Sequence, residues 1–204
     1  MPTNLSADFW ETRWQNDETH WDLNTVSPPL AAYIDQIPAE KRNLRILIPG
    51  CGNGHEALYL LQKGFTQVTM LDIAPTAVAQ LQQRLNMEMP GWQTALRLVC
   101  ADFFQHDDNY DLILEQTFFC ALPPDMRPAY VLKMNALLRP GGKLAGLLFN
   151  REFEGGPPFG GDKAEYLALF APHFRIATMA PSINSVAPRA GSELFFILEK
   201  EKIN

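Results

Sequence analysis

Residues 44–64 have the sequence LRILIPGCGNGHEALYLLQKG, in which an apolar run, a glycine-rich segment and a helical pattern follow one another. The run 44–48 is nearly continuous in apolar residues, which predicts a buried strand. Residues 56–63 have apolar side chains at helical spacing, and Gly64 stands where a helix would end. This strand, turn and helix predict the start of an α/β fold.

The same alternation of apolar runs and helical patterns continues along the chain. Further strands are predicted at residues 68–71, 96–100, 110–114 and 143–149, and helices at 75–87 and 126–138. The run 194–198 is expected to add an antiparallel strand, paired near 175–177. The sequence therefore predicts an α/β fold with a Rossmann-like, doubly wound, mostly parallel sheet that has helices on both faces.

The composition limits the class of protein. With 204 residues, of which 47% are hydrophobic, the chain has material for one core, and we expect one domain. The net charge is −6 and the 17 lysines and arginines are scattered, so nucleic acid is not expected as a partner. No apolar run reaches the roughly 20 residues of a membrane span and no signal peptide is visible, so we expect a cytoplasmic protein without membrane association. The oligomeric state stays open.

The cysteines and histidines do not have the spacing of metal ligands. Cys51, Cys100 and Cys120 are odd in number and lie far apart, which fits reduced thiols better than a disulfide framework. We therefore expect no metal and no disulfide.

The loop Gly50-Cys51-Gly52-Asn53-Gly54 has two interpretations. Glycines let a backbone turn sharply and approach a ligand closely, but a tight structural turn between strand and helix uses them as well. The spacing Gly-x-Gly-x-Gly differs from the Gly-x-Gly-x-x-Gly of nicotinamide and flavin sites. Glu56 is expected to add negative charge where a pyrophosphate would lie. A phosphate-free nucleoside is therefore the expected ligand.

Two acidic residues follow predicted strands. Asp72 lies 22 positions after Gly50, close to the roughly 20 expected for a carboxylate that grips ribose hydroxyls; the alternative is a solvated residue or a helix cap ahead of Pro75. Asp102 suits an exocyclic amine of a base, on which Phe103 would pack. The alternative for Asp102 is a turn or cap carboxylate.

These motifs resemble those of class I S-adenosylmethionine-dependent methyltransferases. More narrowly, the chain resembles the thiopurine methyltransferase family and, within it, the plant thiol and halide methyltransferases. The runs that carry the class resemblance are 49–54 (PGCGNG), 71–73 (LDI), 101–103 (ADF), 110–113 (YDLI) and 138–143 (LRPGGK). The runs that carry the narrower resemblance are 9–14 (FWETRW), 21–23 (WDL), 118–128 (FFCALPPDMRP) and 154–159 (EGGPPF).

The resemblance implies one methyltransferase domain over residues 1–204, with S-adenosylmethionine as its cofactor. It implies an N-terminal lid over residues 1–25, and a substrate-pocket insertion with C-terminal strands over 150–192. The tryptophans of the lid have an alternative as packing residues, because tryptophan is costly to leave in water. The implied cofactor contacts are Trp10, Trp14, Trp21, Gly50, Gly52, Asp72, Ile73, Asp102, Phe103 and Gln116.

For the acceptor, the resemblance implies a pocket formed by Phe118, Phe119, Phe159 in the loop 155–159, and Arg189 nearby. An aromatic pocket suits a soft nucleophile, and Arg189 is expected to attract an anion; its alternative is a solvated loop cation. Phe118 and Phe119 cannot both face one pocket if they extend a strand. The motifs contain no acid–base arrangement, so no catalytic residue is predicted, and we expect in-line displacement by a nucleophile that arrives ionised.

Three functions stay open on the sequence. The first is an enzyme that methylates a small soft nucleophile such as a thiol, hydrosulfide, thiocyanate or halide. The second is a methyltransferase for a thiopurine-like or other larger small molecule. The third is a non-catalytic S-adenosylmethionine-binding module, or a dehydrogenase of the NAD type. We expect the first, with a small-molecule methyl acceptor as the partner.

Overall fold

Seven strands form one sheet in the computed structural model, which describes residues 5–202; residues 1–4, at the start of the predicted lid, and residues 203–204 lie outside the described range. The strands are β1 (Ile46–Pro49), β2 (Val68–Asp72), β3 (Leu96–Cys100), β4 (Tyr110–Glu115), β5 (Leu138–Phe149), β6 (Arg175–Pro181) and β7 (Glu193–Glu199). Their spatial order is β3-β2-β1-β4-β5-β7-β6. The first five strands pair in parallel, and β7 is antiparallel to β5 and β6. The predicted Rossmann-like fold and the antiparallel C-terminal strand are confirmed.

Six α-helices accompany the sheet within residues 5–202. They are α1 (Ala7–Gln15), α2 (Pro28–Asp35), α3 (His55–Gln62), α4 (Pro75–Glu88), α5 (Arg127–Leu137) and α6 (Lys163–Phe170). The three predicted helices correspond to α3, α4 and α5 to within one residue at each end. The sequence patterns do not predict α1, which buries only Trp14, or the eight-residue helices α2 and α6. In the described part of the chain, every helix is too short or too polar to cross a bilayer.

Alternate residues of the central strands pack into two hydrophobic cores, one on each face of the sheet. Leu47 belongs to the core that contains Tyr130 of α5, whereas its neighbour Ile46 belongs to the core that contains Leu60 of α3. All four side chains are fully buried. Burial of an aliphatic side chain such as Leu47 stabilises the folded state by roughly 1.5–3 kcal/mol. Because helices cover the faces, the ends of the strands are the places where a ligand reaches the sheet.

Strand β5 begins five residues before its predicted start at residue 143. Leu138 pairs with Tyr110, and regular pairing resumes between Lys143 and Leu112 after a shift in register. The turn-forming residues 139–142 interrupt the apolar pattern, so the pattern predicts only the regular part of the strand.

The strand order reverses between β1 and β4, which lie side by side although β2 and β3 separate them in the chain. Ligands of open parallel sheets bind beyond the carboxyl ends of the strands at such a switch point. Neighbouring strands are about 4.8 Å apart, which separates the ends of β2 and β5 by about 14 Å. The candidate site lies across this row of strand ends.

Candidate functional site

The glycine loop after β1 has a backbone conformation that side chains would hinder. Gly50 and Gly52 have φ values of 58° and 49°, in the left-handed region that costs other residues about 1–2 kcal/mol. A Cβ on Gly50 would lie 2.6 Å from Cδ2 of Phe118. The missing side chain therefore lets the Phe118 ring pack directly on the loop backbone.

Asp72 ends β2 and joins that strand to the glycine loop. Its carboxylate accepts hydrogen bonds of 3.0 Å from the backbone N–H groups of Gly52 and Ala74. Burial raises the pKa of this carboxyl, and the two N–H groups act in the opposite direction. A carboxylate oxygen that accepts one hydrogen bond still has a lone pair free. Asp72 is therefore a local cap that also offers acceptor capacity to the cavity beside it.

That cavity has a volume of about 880 Å³ and lies beyond the carboxyl ends of the first five strands. The volume is near the upper end of the roughly 300–1,000 Å³ range of small-molecule sites. The sequence-predicted residues that line it are Trp10, Trp14, Trp21, Gly50, Gly52, Asp72, Ile73, Asp102, Phe103, Phe118 and Arg189. Within residues 5–202, the predicted residues that do not line it are Gln116, Phe119 and Phe159.

Asp102 and Phe103 form the cavity wall at the end of β3. Oδ1 of Asp102 accepts a hydrogen bond of 2.8 Å from the N–H of Phe104, so this carboxylate caps the short turn that follows. Phe103 is 3% exposed, and its ring packs edge-on against Phe118 with the centroids 5.0 Å apart. Phe103 is mainly a core residue that presents a small part of its surface to the cavity.

The N-terminal tryptophans both pack and line the cavity. Trp14 is 5% exposed and packs against Ala74 and Ala77 at the start of α4. Trp21 packs edge-on against Trp10 and Trp14, at centroid distances of 5.6 and 6.2 Å. The two interpretations of these residues are therefore compatible, because the rings that form one wall of the cavity also bury one another.

Polar contacts hold the N-terminal segment, which contains α1, against the rest of the molecule. Glu11 accepts hydrogen bonds from the N–H and the hydroxyl of Thr76, at 2.9 and 2.6 Å. Asp22 accepts a hydrogen bond from the amide of Asn53 and lies 2.9 Å from Nε2 of His55. Burial raises the pKa of Asp22, but hydrogen bonds, led by that of His55, lower it to about 2. Asp22 is thus an anion that ties this segment to the glycine loop and to α3.

Arg189 belongs to the same set of contacts and is not a solvated cation. Its side chain is 11% exposed. The guanidinium donates a hydrogen bond of 2.8 Å to the carbonyl oxygen of Trp21, and it lies 3.5 Å from the carboxylate of Glu193. It also lies over the ring of Phe149, 5.5 Å from the centroid. The guanidinium therefore already has partners within the protein, although it borders the cavity.

Of the two phenylalanines that follow β4, the cavity is lined by Phe118. Phe119 is 1% exposed and packs edge-on against Tyr130 and Tyr166, with centroids 5.0 and 5.6 Å away. The chain leaves β4 in a short 3₁₀ turn, so the two rings point in different directions. Phe119 is thereby a core residue in the described structure.

Gln116 and Phe159 also lie away from the wall. The N–H of Phe159 donates a hydrogen bond of 2.7 Å to the carbonyl of Cys120, and its neighbours Pro157 and Pro158 face the cavity instead. Both polar atoms of the Gln116 side chain are buried without a hydrogen-bond partner among residues 5–202. A buried amide in that state is costly unless water or a ligand satisfies it.

Glu115 is a fully buried carboxylate that shapes the turn after β4. It accepts hydrogen bonds from the N–H groups of Phe118 and Phe119, at 2.8 and 2.9 Å, and from the hydroxyl of Tyr130 at 2.7 Å. Burial raises its pKa to about 7, although the three hydrogen bonds favour the ionised form. Glu115 thereby fixes the position from which the Phe118 ring meets Gly50.

Some residues of the wall do not follow from the motifs. Phe149 ends β5, so the strand-end rule that points to Asp72 points to it as well. No pattern in the sequence points to His20 or Arg151, which are polar residues outside the regular elements that carry the motifs. Other wall residues that the motifs leave out are Cys100, Phe104 and Phe153.

The cysteines are free thiols, of which Cys51 and Cys120 are buried and Cys100 is exposed. Burial raises the pKa of Cys120 to about 12, so this group is a neutral thiol at physiological pH. Across residues 5–202, no three His, Cys, Asp or Glu side chains are grouped so that they would hold a metal ion.

The charge predicted for Glu56 is not at the site. Glu56 is buried, and its carboxylate accepts a hydrogen bond of 3.1 Å from the N–H of Ser27, which precedes α2. Burial raises its pKa, and the hydrogen bond from Ser27 acts in the opposite direction. The expectation that Glu56 repels a pyrophosphate is therefore wrong, since its side chain points to α2.

The wall nevertheless fits a nucleoside cofactor without phosphate. Gly50 and Gly52 line the cavity with backbone, and the carboxylates of Asp72 and Asp102 line the same cavity. Two carboxylates suit hydroxyl and amine donors and would repel a phosphate. This arrangement fits S-adenosylmethionine, whose nucleoside carries donors and no phosphate.

Comparison with known proteins gives matches along almost the whole chain. The family model described as Thiopurine S-methyltransferase (TPMT) matches residues 5–198. A protein of Arabidopsis thaliana named probable thiol methyltransferase 2 is 33% identical over 92% of this chain and 83% of its own length. Thiocyanate methyltransferase 1 of Brassica oleracea is 29% identical, over 95% of this chain and 85% of its own.

Solved structures share the fold. The crystal structure of Burkholderia thailandensis 1,6-didemethyltoxoflavin-N1-methyltransferase, with bound 1,6-didemethyltoxoflavin and S-adenosylhomocysteine, superposes with a TM-score of 0.73 at 22% identity. The match covers 97% of this chain and 88% of that chain.

Proposed function

This chain belongs to the thiopurine S-methyltransferase family, and on that premise we propose that it transfers a methyl group to a small, soft nucleophile such as a thiol, hydrosulfide, thiocyanate or halide. Family membership makes the chain an S-adenosylmethionine-dependent methyltransferase. The cofactor supplies an electrophilic methyl group on a sulfonium, which a nucleophile displaces with release of the neutral thioether S-adenosylhomocysteine. The acceptor and the manner of displacement are the parts that we propose.

The observation that carries the proposal is the composition of the wall near the ends of β4 and β5. Phe118, Phe149 and Phe153 provide aromatic surface there, and Pro157 and Pro158 line the same cavity. Sulfur and other polarisable atoms make favourable contacts with aromatic rings. An apolar wall also excludes water from an anionic nucleophile, which removes a competing solvation shell.

The other half of the cavity serves the cofactor in this proposal. Gly50 and Gly52 line this half of the cavity with backbone, and Asp72 accepts hydrogen bonds from hydroxyl groups. Asp102 accepts a hydrogen bond from an amine. The tryptophan wall, formed by Trp10, Trp14 and Trp21, provides aromatic faces, which suit a sulfonium cation. These residues position one reactant, while the wall at β4 and β5 positions the other in line with it.

No protein base is needed for an acceptor that is already ionised. Among the histidines in residues 5–202, His20 is the one that borders the cavity, and it lies in the N-terminal segment. The carboxylates that line the cavity already have partners: Asp72 accepts hydrogen bonds from Gly52 and Ala74, Asp102 accepts one from its own turn, and Glu18 lies 3.2 Å from the guanidinium of Arg13. A thiol acceptor therefore loses its proton to water before it reacts, and the rate follows the fraction of thiolate.

A thiopurine-like or other larger acceptor is the second candidate. The cavity volume of about 880 Å³ favours it, because a nucleoside cofactor and a small anion do not fill a space of that size.

A screen of methyl acceptors tests both candidates. The full chain is incubated with isotope-labelled S-adenosylmethionine and, in turn, hydrosulfide, thiocyanate, iodide, an aryl thiol and a thiopurine, and the methylated products are measured by mass spectrometry. We expect the first four to be methylated. Turnover confined to the thiopurine would select the second candidate, and cofactor binding without turnover on any acceptor would contradict both.

A further inference from the structure

Arg151 is a cation on the cavity wall that other protein groups leave available. The neighbouring cations are engaged, since Arg13 lies 3.2 Å from the carboxylate of Glu18 and Arg189 donates to Trp21. The side chain of Arg151 is exposed and lines the cavity. Within the described residues, 5–202, it forms no ion pair and donates no hydrogen bond.

The structure fixes where this cation is presented. The N–H of Gly161 donates a hydrogen bond of 3.1 Å to the carbonyl of Arg151, which holds its backbone in a bridge. Gly160 lets that carbonyl approach closely, because a Cβ there would lie 2.1 Å from it. The guanidinium lies over the ring of Phe153, with Cζ 4.6 Å from the centroid. A stacked guanidinium keeps its in-plane N–H donors free for a carboxylate.

Neighbouring acidic groups do not neutralise this cation. Glu152 and Glu154 flank Arg151 along the chain, but both are exposed and neither lines the cavity. Neither lies within ion-pair distance of its guanidinium. An anion in the cavity therefore meets Arg151 rather than these carboxylates.

The position of Arg151 sets the shape of the anion that it can bind. Arg151 lies two residues beyond the end of β5, whereas the switch point lies between β1 and β4. One to two strand spacings, about 5–10 Å, separate the end of β5 from the switch point along the sheet. The rings of Phe118 and Phe149 line the space near the ends of β4 and β5. An acceptor that reacts near the switch point and reaches Arg151 needs a flat, rigid spacer between its nucleophile and its anionic group.

We propose that Arg151 determines acceptor specificity by binding a carboxylate of the acceptor, and that the preferred acceptor is an aromatic thiol with a carboxylate on the opposite side of its ring. This inference rests on the proposed function, which it narrows from soft nucleophiles in general to one class of thiol. The carboxylate takes no part in the transfer. It positions the thiolate. A guanidinium can bind a carboxylate through two parallel N–H···O hydrogen bonds.

The test compares three acceptors with wild-type protein and Arg151 variants. The acceptors are 4-mercaptobenzoate, its isomer 2-mercaptobenzoate and the uncharged 4-methylbenzenethiol. The variants are Arg151→Gln, Arg151→Lys and, as a matched control on the exposed surface of β6, Arg175→Gln. For each protein the measured quantity is kcat/KM for 4-mercaptobenzoate divided by that for 4-methylbenzenethiol, so that intrinsic differences in thiol reactivity cancel between proteins.

We expect Arg151→Gln to lower this ratio about tenfold, mainly through KM, because a remote cation binds ground state and transition state alike. Arg151→Lys should retain part of the ratio, and Arg175→Gln all of it. The ratio for 2-mercaptobenzoate should change little, since its carboxylate lies beside the thiol. An equal ratio in the wild type and Arg151→Gln, with both thiols still methylated, would overturn the inference and leave the proposed function intact. No methylation of any thiol or of thiocyanate would overturn the proposed function itself.

Discussion

The guanidinium of Arg189 donates a hydrogen bond of 2.8 Å to the carbonyl oxygen of Trp21, across 168 positions of the chain. One donor near the C-terminal strands thus holds the backbone of the segment that carries the tryptophan wall. The same guanidinium neighbours Glu193, whose side chain is 4% exposed. Arg189 therefore links the position of the N-terminal segment to β7.

Replacing Arg189 by alanine should lower the stability of the fold and weaken cofactor binding. The variant leaves the carbonyl of Trp21 and the carboxylate of Glu193 without a donor, at a cost of about 1–3 kcal/mol in the free energy of unfolding. The dissociation constant of S-adenosylmethionine should rise about tenfold, as a loss of about 1.4 kcal/mol implies. Calorimetric titration and denaturant unfolding measure the two effects, with Arg175→Ala as an exposed control. If only KM for thiocyanate and iodide rose, Arg189 would instead attract the acceptor.

Asp72→Asn should weaken cofactor binding with less effect on folding. An amide has one carbonyl oxygen, so asparagine cannot accept from Gly52 and Ala74 and also offer two acceptor oxygens to a ribose. We expect cofactor binding to become less favourable by about 1–3 kcal/mol. Titration with S-adenosylhomocysteine measures it, and Asp107→Asn, at an exposed position, is the control. An unchanged dissociation constant would leave Asp72 only its capping role.

Gly50→Ala tests the close approach of the Phe118 ring, and Gly64→Ala is its matched control. Both glycines have positive φ, 58° and 84°, so both variants bear the left-handed cost of about 1–2 kcal/mol. A Cβ at Gly64 meets nothing within 4 Å, whereas one at Gly50 collides with Phe118. We expect Gly50→Ala to lose more stability and most cofactor affinity, and Phe118→Leu to restore part of both. Equal losses in the two alanine variants would show that the contact is unimportant.

The rate should follow ionisation of the acceptor rather than that of a protein group. For a thiol with a pKa of about 8.5, kcat/KM should rise about tenfold per pH unit below that value, while thiocyanate should give a nearly flat profile. His20→Ala should change neither profile. A bell-shaped profile shared by both acceptors and lost in His20→Ala would identify His20 as a base.

Glu115→Gln should change the pH dependence of folding stability. The pKa of Glu115 is raised to about 7 in the folded chain, against about 4.3 in an unfolded one. Between these values the folded state binds the extra proton, so the contribution of Glu115 to the free energy of unfolding falls as pH rises, by about 3–4 kcal/mol. The variant lacks this loss, and its stability relative to the wild type should rise by that order from pH 4.3 to 7. Denaturant titrations test this, with the exposed Glu88→Gln as control; a pH-independent difference would contradict the assignment.

The sheet could be predicted because its signals are local. Strands β1 to β4 are apolar runs followed by turn residues, and α3, α4 and α5 have helical spacing within one segment. Helix α1 could not be predicted in this way, because only Trp14 of its side chains is buried and its position depends on Glu11 meeting Thr76, 65 residues away. Contacts of that kind leave no periodic pattern.

The residues of the site also divide into those that the sequence predicts and those that it does not. The rule that ligands lie at strand ends places Asp72, Asp102 and Phe149 on one wall, since it follows from topology alone. Side-chain direction does not follow from topology. Glu56 turns to Ser27, and Phe119 enters the core because a 3₁₀ turn follows β4. Local sequence does not encode either direction.

The Phe118 ring belongs to two parts of the site. It lies against the backbone at Gly50, and it also faces the cavity near the ends of β4 and β5. Two ligands that bias one ring are thermodynamically linked, and linkage is reciprocal. An acceptor that shifts the ring therefore changes the affinity for the cofactor, and the cofactor changes the affinity for that acceptor by the same factor. Mutant libraries that seek new acceptors by varying position 118 will select for altered cofactor affinity at the same time, whereas libraries at positions 151 and 153 keep the two properties separate.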